Sequence, residues 1–297
     1  ATVATTLGET KGTGVSVAGE VYNDITVNLE GTTEGAVTGT GVEITANKAN
    51  GKVVVNVDQS NLSVADEKEL VKVTANAGDV TIDAKQAVKL LDGANLVNVA
   101  ANEGTLTVNL DAVGQSVATG SLVNVGAITG TTNVNINQDV VFGDTKHAGT
   151  IVKAGAVTGA LNVNLNVKEG SLNVTAGNTA INLEAVNENN VASVKNTGNV
   201  TIEEKGTLVA GNDKSISLTN QGLITLKTVS GKDESKDNNS VVSKGKGVTV
   251  ANYGTITLKD MDSKAFLKKA GEEATLKTLT LNEVKSALVS LGVIEGT

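Results

Sequence analysis

Hydrophobic and polar residues alternate along most of the chain, in short runs separated by glycine or asparagine. Three copies of the run Leu-Val-x-Val begin at Leu70, Leu96 and Leu122, so they are spaced 26 residues apart. Alternation with period two is typical of β-strands, whose side chains point in turn to opposite faces. Copies this short cannot form separate domains, but stacked copies cover each other's apolar faces. The pattern therefore predicts an all-β fold, a single-chain parallel β-solenoid of about ten coils.

A glycine or asparagine corner precedes the second alternating run of each copy and allows the copies to be aligned. The corners are Asn23, Gly51, Gly78, Gly104, Gly130, Gly159, Gly198, Gly222 and Gly254. The second and fourth residues after each corner are nearly always aliphatic, which predicts that they point inward. The fifth residue points outward, and this column is Asn28, Asn56, Asp83, Asn109, Asn135, Asn164, Glu203, Lys227 and Lys259. The longest interval, 39 residues from Gly159 to Gly198, predicts an enlarged coil or a bulge.

Near the C-terminal end the hydrophobic pattern changes from period-two alternation to the spacing of a helix. This change divides the chain into a solenoid over residues 15–260 and a helical cap over residues 261–297. Thr280 and Glu283 have the spacing of a capping box. The cap residues, including one apolar stripe, are Thr280, Leu281, Glu283, Val284, Leu288 and Leu291. An amphipathic helix here is expected to cover the open edge of the last coil. A partner-binding helix is the alternative.

Residues 1–14 form a strand-prone N-terminal arm without a comparable cap. Its candidate self-association residues are Ala1, Thr2, Val3, Ala4, Thr5, Thr6 and Leu7. An uncovered solenoid end is a template for strand addition, so a neighbouring copy is expected to pair there, head to tail. A frayed terminus, or a junction within a longer protein, is the alternative.

The composition argues against an enzyme. Proline, cysteine, tryptophan and arginine are absent, and His147 is the only histidine. These absences exclude Cys-His sites and metal sites built from several histidines within one chain. Neither of the common glycine-rich phosphate-binding motifs is present. A polysaccharide-active β-helix enzyme remains a remote alternative, and it would need a groove lined by converging carboxylates.

Charge and hydropathy limit the partners that we expect. A net charge of -8 and a pI near 4.9 argue against nucleic acid, and no apolar run approaches the roughly 18 residues of a membrane-spanning helix. No cofactor is expected, except that calcium could bind at Asp139, Asp144, Asp233 and Asp237. The chain opens at Ala1, which is consistent with a cleaved secretion signal or with a trimmed chain.

Two segments near the C-terminal end carry a family resemblance. The runs that begin at Asn220 and Asn252 both read Asn-x-Gly-x-Ile-Thr-Leu. They resemble the repeats of bacterial autotransporter passengers and related large surface adhesins. The resemblance implies a right-handed parallel β-helix displayed outside a bacterial cell, and no functional residues transfer with it.

These observations together predict an extracellular, secreted structural protein on a bacterial cell surface. Its expected function is that of a self-associating subunit of a fibre, sheath or layer, and its expected partners are copies of itself, arranged head to tail or laterally. The alternative is a monomeric adhesin that binds a host or carbohydrate receptor.

Overall fold

A computed structural model describes residues 1–112, 115–117, 119–138, 140–142, 149–186, 192–211, 216–228, 239–245 and 248–258 of the chain. Within these ranges the regular structure consists of β-strands, and none of the described residues is helical. All paired strands are parallel, as the sequence predicts for a β-solenoid.

The strands form three sheets, which we name A, B and C, and each turn of the chain adds one strand to each sheet. Sheet A contains β1 (Thr2–Thr5), β4 (Asp24–Leu29), β7 (Lys52–Val57), β10 (Asp79–Ala84), β13 (Thr105–Leu110), β16 (Thr131–Ile136), β19 (Ala160–Leu165), β22 (Ala192–Asn196), β25 (Ile216–Asn220) and β28 (Val248–Asn252). Sheet B contains β2 (Glu9–Thr10), β5 (Gly35–Val37), β8 (Leu62–Val64), β11 (Val88–Leu90), β14 (Gln115–Val117), β17 (Val140–Phe142), β20 (Leu172–Val174), β23 (Asn199–Ile202), β26 (Leu223–Leu226) and β29 (Thr255–Leu258). Sheet C contains β3 (Thr13–Val21), β6 (Thr40–Asn47), β9 (Glu69–Asn76), β12 (Asn95–Asn102), β15 (Ser121–Ile128), β18 (Thr150–Val157), β21 (Thr179–Val186), β24 (Thr207–Gly211) and β27 (Val241–Lys244).

The described residues complete fewer turns than the ten coils that the sequence predicts. Because sheet C has nine described strands, the described residues complete nine turns, with β28 and β29 as two strands of a further turn. The predicted arm over residues 1–14 supplies β1, β2 and the start of β3, which belong to the first turn. The predicted helical cap over residues 261–297 lies outside the described residues.

Columns of aliphatic side chains fill the interior. Val27, Val55 and Ile82 are partners in register and are fully buried, and they belong to one continuous core cluster. Valine, leucine and isoleucine suit this arrangement because each layer is thin and must be covered by its neighbours. Stability therefore comes from nearest-neighbour stacking together with the backbone ladders.

A column of half-buried polar side chains follows the outward face of sheet A. Asn56 donates to Asn28 (2.8 Å), and further along Asn135 donates to Asn109 (2.8 Å), which donates to Asp83 (2.6 Å). We call this column the outer ladder; it confirms the predicted outward positions of the first six copies.

Glu203 and Lys227 do not continue this column, because the corner that anchors the alignment changes its place on the solenoid; Lys259 lies outside the described residues. The corners up to Gly159 precede strands of sheet A, whereas Gly198, Gly222 and Gly254 precede strands of sheet B. Asn164 therefore pairs with Lys195 and not with Glu203. The 39-residue interval is the distance between two different corners, so an enlarged coil is not needed to explain it.

Two further sets of asparagines lie at the corners, and all of them are buried except the half-buried Asn252. The first inner ladder is Asn47, Asn76 and Asn102, at the ends of three sheet C strands. The second inner ladder is Asn196, Asn220 and Asn252, at the ends of three sheet A strands. In each ladder the first two amides donate to the amide of the next turn, and the last donates to other groups: Asn102 to Thr131 and Thr132, and Asn252 to the carbonyl of Gly254. The polar corners are therefore largely satisfied by repetition.

Candidate self-association surface

The predicted self-association residues lie in the first turn of the solenoid. Thr2 to Thr5 form β1, the strand at one end of sheet A. The Ala1 ammonium group donates to the carbonyl of Asp24 (2.8 Å), so the chain is held against the second turn from its first residue. Alone among the seven, Leu7 is buried.

Only one side of β1 is paired within the described part of the chain. Thr26 N–H donates to the carbonyl of Ala1 (2.8 Å), and Glu30 N–H donates to the carbonyl of Thr5 (2.8 Å). Because backbone groups of alternate residues point to opposite sides of a strand, the N–H and C=O groups of Thr2 and Ala4 point away from β4. No other described strand pairs with that side.

No described residue covers the apolar interior beyond β1. The Val3 side chain is 42% exposed, whereas its register partner Val27 is 0% exposed. Val3 occupies the position in its column that would be covered by one more turn. The first turn therefore combines an unpaired strand edge with uncovered apolar surface.

The other two edges of the first turn differ from β1. β2 is only two residues long and is flanked by an exposed ion pair between Lys11 Nζ and Glu9 Oε1 (3.2 Å). β3 contains a β-bulge between Val17 and Glu20, with Gly19 at φ 84°. Short strands, charges and bulges are the devices that keep sheet edges from pairing with other chains. β1 is four residues long and contains no charged residue and no bulge.

A buried glutamine anchors the first turn. Gln59 is fully buried, accepts from Leu7 N–H (2.7 Å), and donates from Nε2 to the carbonyls of Leu7 (2.7 Å) and Thr33 (3.0 Å). One side chain thus connects the first three turns. The sequence analysis missed Gln59, and its surroundings, Asp58 and Ser60, give no periodic signal that would reveal it.

Three exposed side chains form a small charged cluster where the corner between β3 and β4 meets the corner between β6 and β7. Lys48 Nζ lies 2.8 Å from Glu20 Oε1, and the Tyr22 hydroxyl also donates to Glu20. The hydrogen bond from Lys48 is the main cause that lowers the pKa of Glu20, and the same bond raises the pKa of Lys48. The hydrogen bond to Glu20 also raises the pKa of Tyr22.

An open groove of about 950 Å³ runs over the outward face of sheet B in the second to fourth turns. Its polar lining is Thr32, Glu34, Ser60, Asn61, Ser63, Gln86 and Lys89. The groove lies along the three-residue strands β5, β8 and β11 and the segments that precede them. Hydroxyl and amide groups can both donate and accept, so the lining is chemically suited to a hydroxyl-rich ligand.

The calcium candidates Asp139, Asp144, Asp233 and Asp237 and the cap residues lie outside the described residues, as does His147. Among the residues that are described, no cluster of three or more histidine, aspartate or glutamate side chains is arranged to hold a metal ion. The prediction of calcium binding therefore stays a prediction.

The described residues include no helix that is long and apolar enough to cross a membrane. Comparison of the chain with protein-family models, with curated proteins and with solved structures finds no significant match.

Proposed function

We propose that this chain is a self-associating structural subunit of a fibre, sheath or layer on a bacterial cell surface. The observation that carries the proposal is that, among the described strands, β1 is paired on one side alone and presents an uncharged edge beside the exposed Val3 side chain. An edge of this kind is a template for a strand from another chain. The partner in this proposal is another copy of the same chain.

The mechanism is mechanical. Continuous parallel ladders, aliphatic columns and stacked amides connect each turn to the next along the described structure. Such quasi-one-dimensional stacking produces a rod that resists bending and leaves little unpaired backbone for proteases. The proposal assigns no catalytic reaction, no cofactor and no nucleic acid partner to the chain.

An extracellular, bacterial location is part of the proposal. Its support is the Asn-x-Gly-x-Ile-Thr-Leu pattern at Asn220 and Asn252, which resembles the repeats of surface-displayed passengers and adhesins. The absence of cysteine and proline is compatible with a rod that is stabilised by its ladders.

Negative-stain electron microscopy and light scattering of the purified chain at rising concentration test the proposal. Assemblies of defined geometry are expected, with a mass that rises above that of the 30.0 kDa chain. The series is repeated with calcium and with a chelator to test the calcium candidates. Single rods at every concentration, with and without calcium, would contradict self-association.

A second candidate function is that of a monomeric adhesin, and the groove on sheet B favours it. Its polar lining fits a carbohydrate chain better than an apolar ligand. A glycan array identifies binding, and Ser63→Tyr, which fills the centre of the groove, is expected to abolish it. Ser193→Tyr on the outward face of sheet A is the matched control, and equal loss of binding in both variants would contradict the groove as the site.

A further inference from the structure

The groove over sheet B has opposite charges at its two ends. Glu34 directly precedes β5 in the second turn, and Lys89 is the outward residue of β11 in the fourth turn. Among the described residues that line the groove, no other side chain is charged. β8 lies between β5 and β11, so the two charged positions are separated by about 10 Å along the solenoid. The groove therefore has an acidic end and a basic end.

Both charged side chains are available to a ligand. They are exposed, and within the described part of the chain neither forms an ion pair or a side-chain hydrogen bond. By contrast, Glu43 and Lys72 lie on adjacent strands of sheet C and pair with each other (3.3 Å). Because a whole strand separates them, Glu34 and Lys89 do not pair, so both charges can bind a ligand that spans the groove.

The middle of the groove offers hydrogen-bond acceptors. The Ser63 hydroxyl donates to the carbonyl of Gly35 (3.1 Å), and Asn61 Nδ2 donates to the carbonyl of Thr32 (3.3 Å). Gln86 Nε2 donates to a carboxylate oxygen of the preceding turn (3.3 Å). Each of these three side chains keeps an oxygen that can accept a further hydrogen bond. The hydroxyl groups of a sugar are suitable donors for these oxygens.

We propose that the groove binds a zwitterionic saccharide, with an amino group at Glu34, hydroxyl groups over the third turn and a carboxylate at Lys89. A polymer in which an unacetylated amino sugar alternates with a uronic acid carries these groups. A neutral glycan would leave both charges unpaired. A polyanion would place further carboxylates against Glu34 and against a chain whose net charge is -8. This inference rests on the second candidate function, saccharide binding in the groove, and specifies the ligand; it does not require self-association.

Two matched ligands test the inference: the hyaluronan tetrasaccharide, and the same tetrasaccharide after removal of its acetyl groups. They differ in the amino sugar alone, whose nitrogen is a neutral amide in the first and a charged amine in the second. Isothermal titration calorimetry at low ionic strength is expected to show about fivefold tighter binding of the deacetylated ligand. The preference should disappear in about 1 M salt, where the screening length falls to about 3 Å.

Two substitutions assign the charges of the ligand to the two ends of the groove. Glu34→Gln is expected to remove the preference for the deacetylated tetrasaccharide, because its amine then meets no carboxylate. Lys89→Met is expected to weaken the binding of both tetrasaccharides about fivefold, because both carry carboxylates. Glu103→Gln and Lys52→Met, at exposed positions outside the groove, are the matched controls and are expected to bind as the natural chain does. Circular dichroism melting of all four variants verifies that the fold is retained.

The outcomes separate this inference from the second candidate function. Equal affinity of the natural chain for the two tetrasaccharides would overturn the zwitterionic ligand and keep the groove as a saccharide site. Equal affinity for a blocked tetrapeptide with one lysine and one glutamate would overturn the saccharide class. Unchanged binding in Ser63→Tyr would overturn the groove as the site. Absence of binding to either tetrasaccharide and to every glycan of the array would overturn both the inference and the second candidate function.

Discussion

The two inner ladders show the same solution at two different corners of the solenoid. In the first, Asn47 donates to Asn76 (2.9 Å) at the end of sheet C strands. In the second, Asn196 donates to Asn220 (2.8 Å) at the end of sheet A strands. Glycine follows two residues after five of these six asparagines; the exception is Asn47, where Gly51 follows four residues later.

The backbone at the two corners is also equivalent. Gly104 N–H donates to the carbonyl of Asn76 (3.0 Å), and Gly222 N–H donates to the carbonyl of Asn196 (3.1 Å). The Asn-x-Gly corner is therefore a transferable unit, which can be placed wherever the chain turns from one sheet to the next. Between the two ladders, Ile128 and Val157 occupy the register that continues from Asn102, so the interior there is aliphatic.

Glycine substitution at the two corners is expected to have the largest effect. A Cβ atom at Gly104 would overlap the carbonyl oxygen of Gly78, and one at Gly222 would overlap that of Gly198. Since backbone cannot move aside in a stacked turn, Gly104→Ala and Gly222→Ala should each lower the free energy of unfolding by about 3 kcal/mol or more. Chemical denaturation measures this loss. Gly8→Ala, where a Cβ atom meets nothing within 4 Å, is the control; a large loss there would contradict the explanation.

Removing the central amide of either ladder is expected to have the next largest effect. Asn76→Val deprives Asn102 of its donor, and Asn220→Val deprives Asn252 of its donor. Each variant leaves a buried or half-buried oxygen unsatisfied, so each should cost about 2–3 kcal/mol in denaturant unfolding. If the two corners are equivalent, the two variants lose the same free energy of unfolding. A loss in one ladder alone would show that the corners are not equivalent.

Replacement of Asn47, the first amide of the first inner ladder, should destabilise the fold less than replacement of the central amide, Asn76. Asn47 Oδ1 is buried and accepts no hydrogen bond from any residue that the structure describes. Asn47→Val removes this unsatisfied oxygen and creates another at Asn76, so the number of unsatisfied oxygens does not change. The variant should therefore be more stable than Asn76→Val by about 1–2 kcal/mol. Differential scanning calorimetry of both variants measures the difference, and equal stability would contradict this account of the ladder end.

The outer ladder sharpens the comparison because its amides contact water. Asn135 accepts from Asn164 (2.8 Å) and donates to Asn109 (2.8 Å), but all three side chains are only half-buried. Water can replace the lost partners, so Asn135→Ala should cost less than about 1 kcal/mol. A loss of stability as large as that of Asn76→Val in the same denaturation experiment would show that burial does not determine how much a ladder stabilises the fold.

The smallest effect is expected at the longer corner beside Asn47, where Lys48 and Glu20 form an exposed ion pair. The lowered pKa of Glu20 stabilises the fold above the ordinary pKa of a glutamate, and this contribution is lost as pH falls through the lowered value. The raised pKa of Lys48 contributes below the ordinary pKa of a lysine, and this contribution is lost as pH rises through the raised value. NMR titration should show that Lys48→Met raises the pKa of Glu20. An unchanged pKa would contradict this, and thermal stability should change little because the pair is exposed.

Sequence periodicity identified the parallel solenoid and the inward positions after each corner, because period-two alternation depends only on local geometry. The alignment of the copies failed where similar sequence occurs at two different corners. Gly159 and Gly198 have similar surroundings in the sequence, but Gly159 precedes a strand of sheet A and Gly198 precedes a strand of sheet B. Long-range contacts were also inaccessible to it, as the bonds between Gln59 and Leu7 show. The difference between β1 and the edges of β2 and β3 depends on which strands the fold leaves unpaired. The predicted cap, the calcium candidates and the function stay predictions.

The constant register between turns has a consequence for how such a gene can change in length. Asp79 and Thr105 are partners in register, so removal of residues 79–104 would join Gly78 to a residue that already occupies the equivalent place. Asn76 would then take over the contacts that Asn102 makes with Thr131 and Thr132. A deletion or duplication of one whole 26-residue unit would thus leave every interior neighbour of the same kind. Recombination between such units could alter the reach of the protein while its cross-section and its first turn are inherited unchanged.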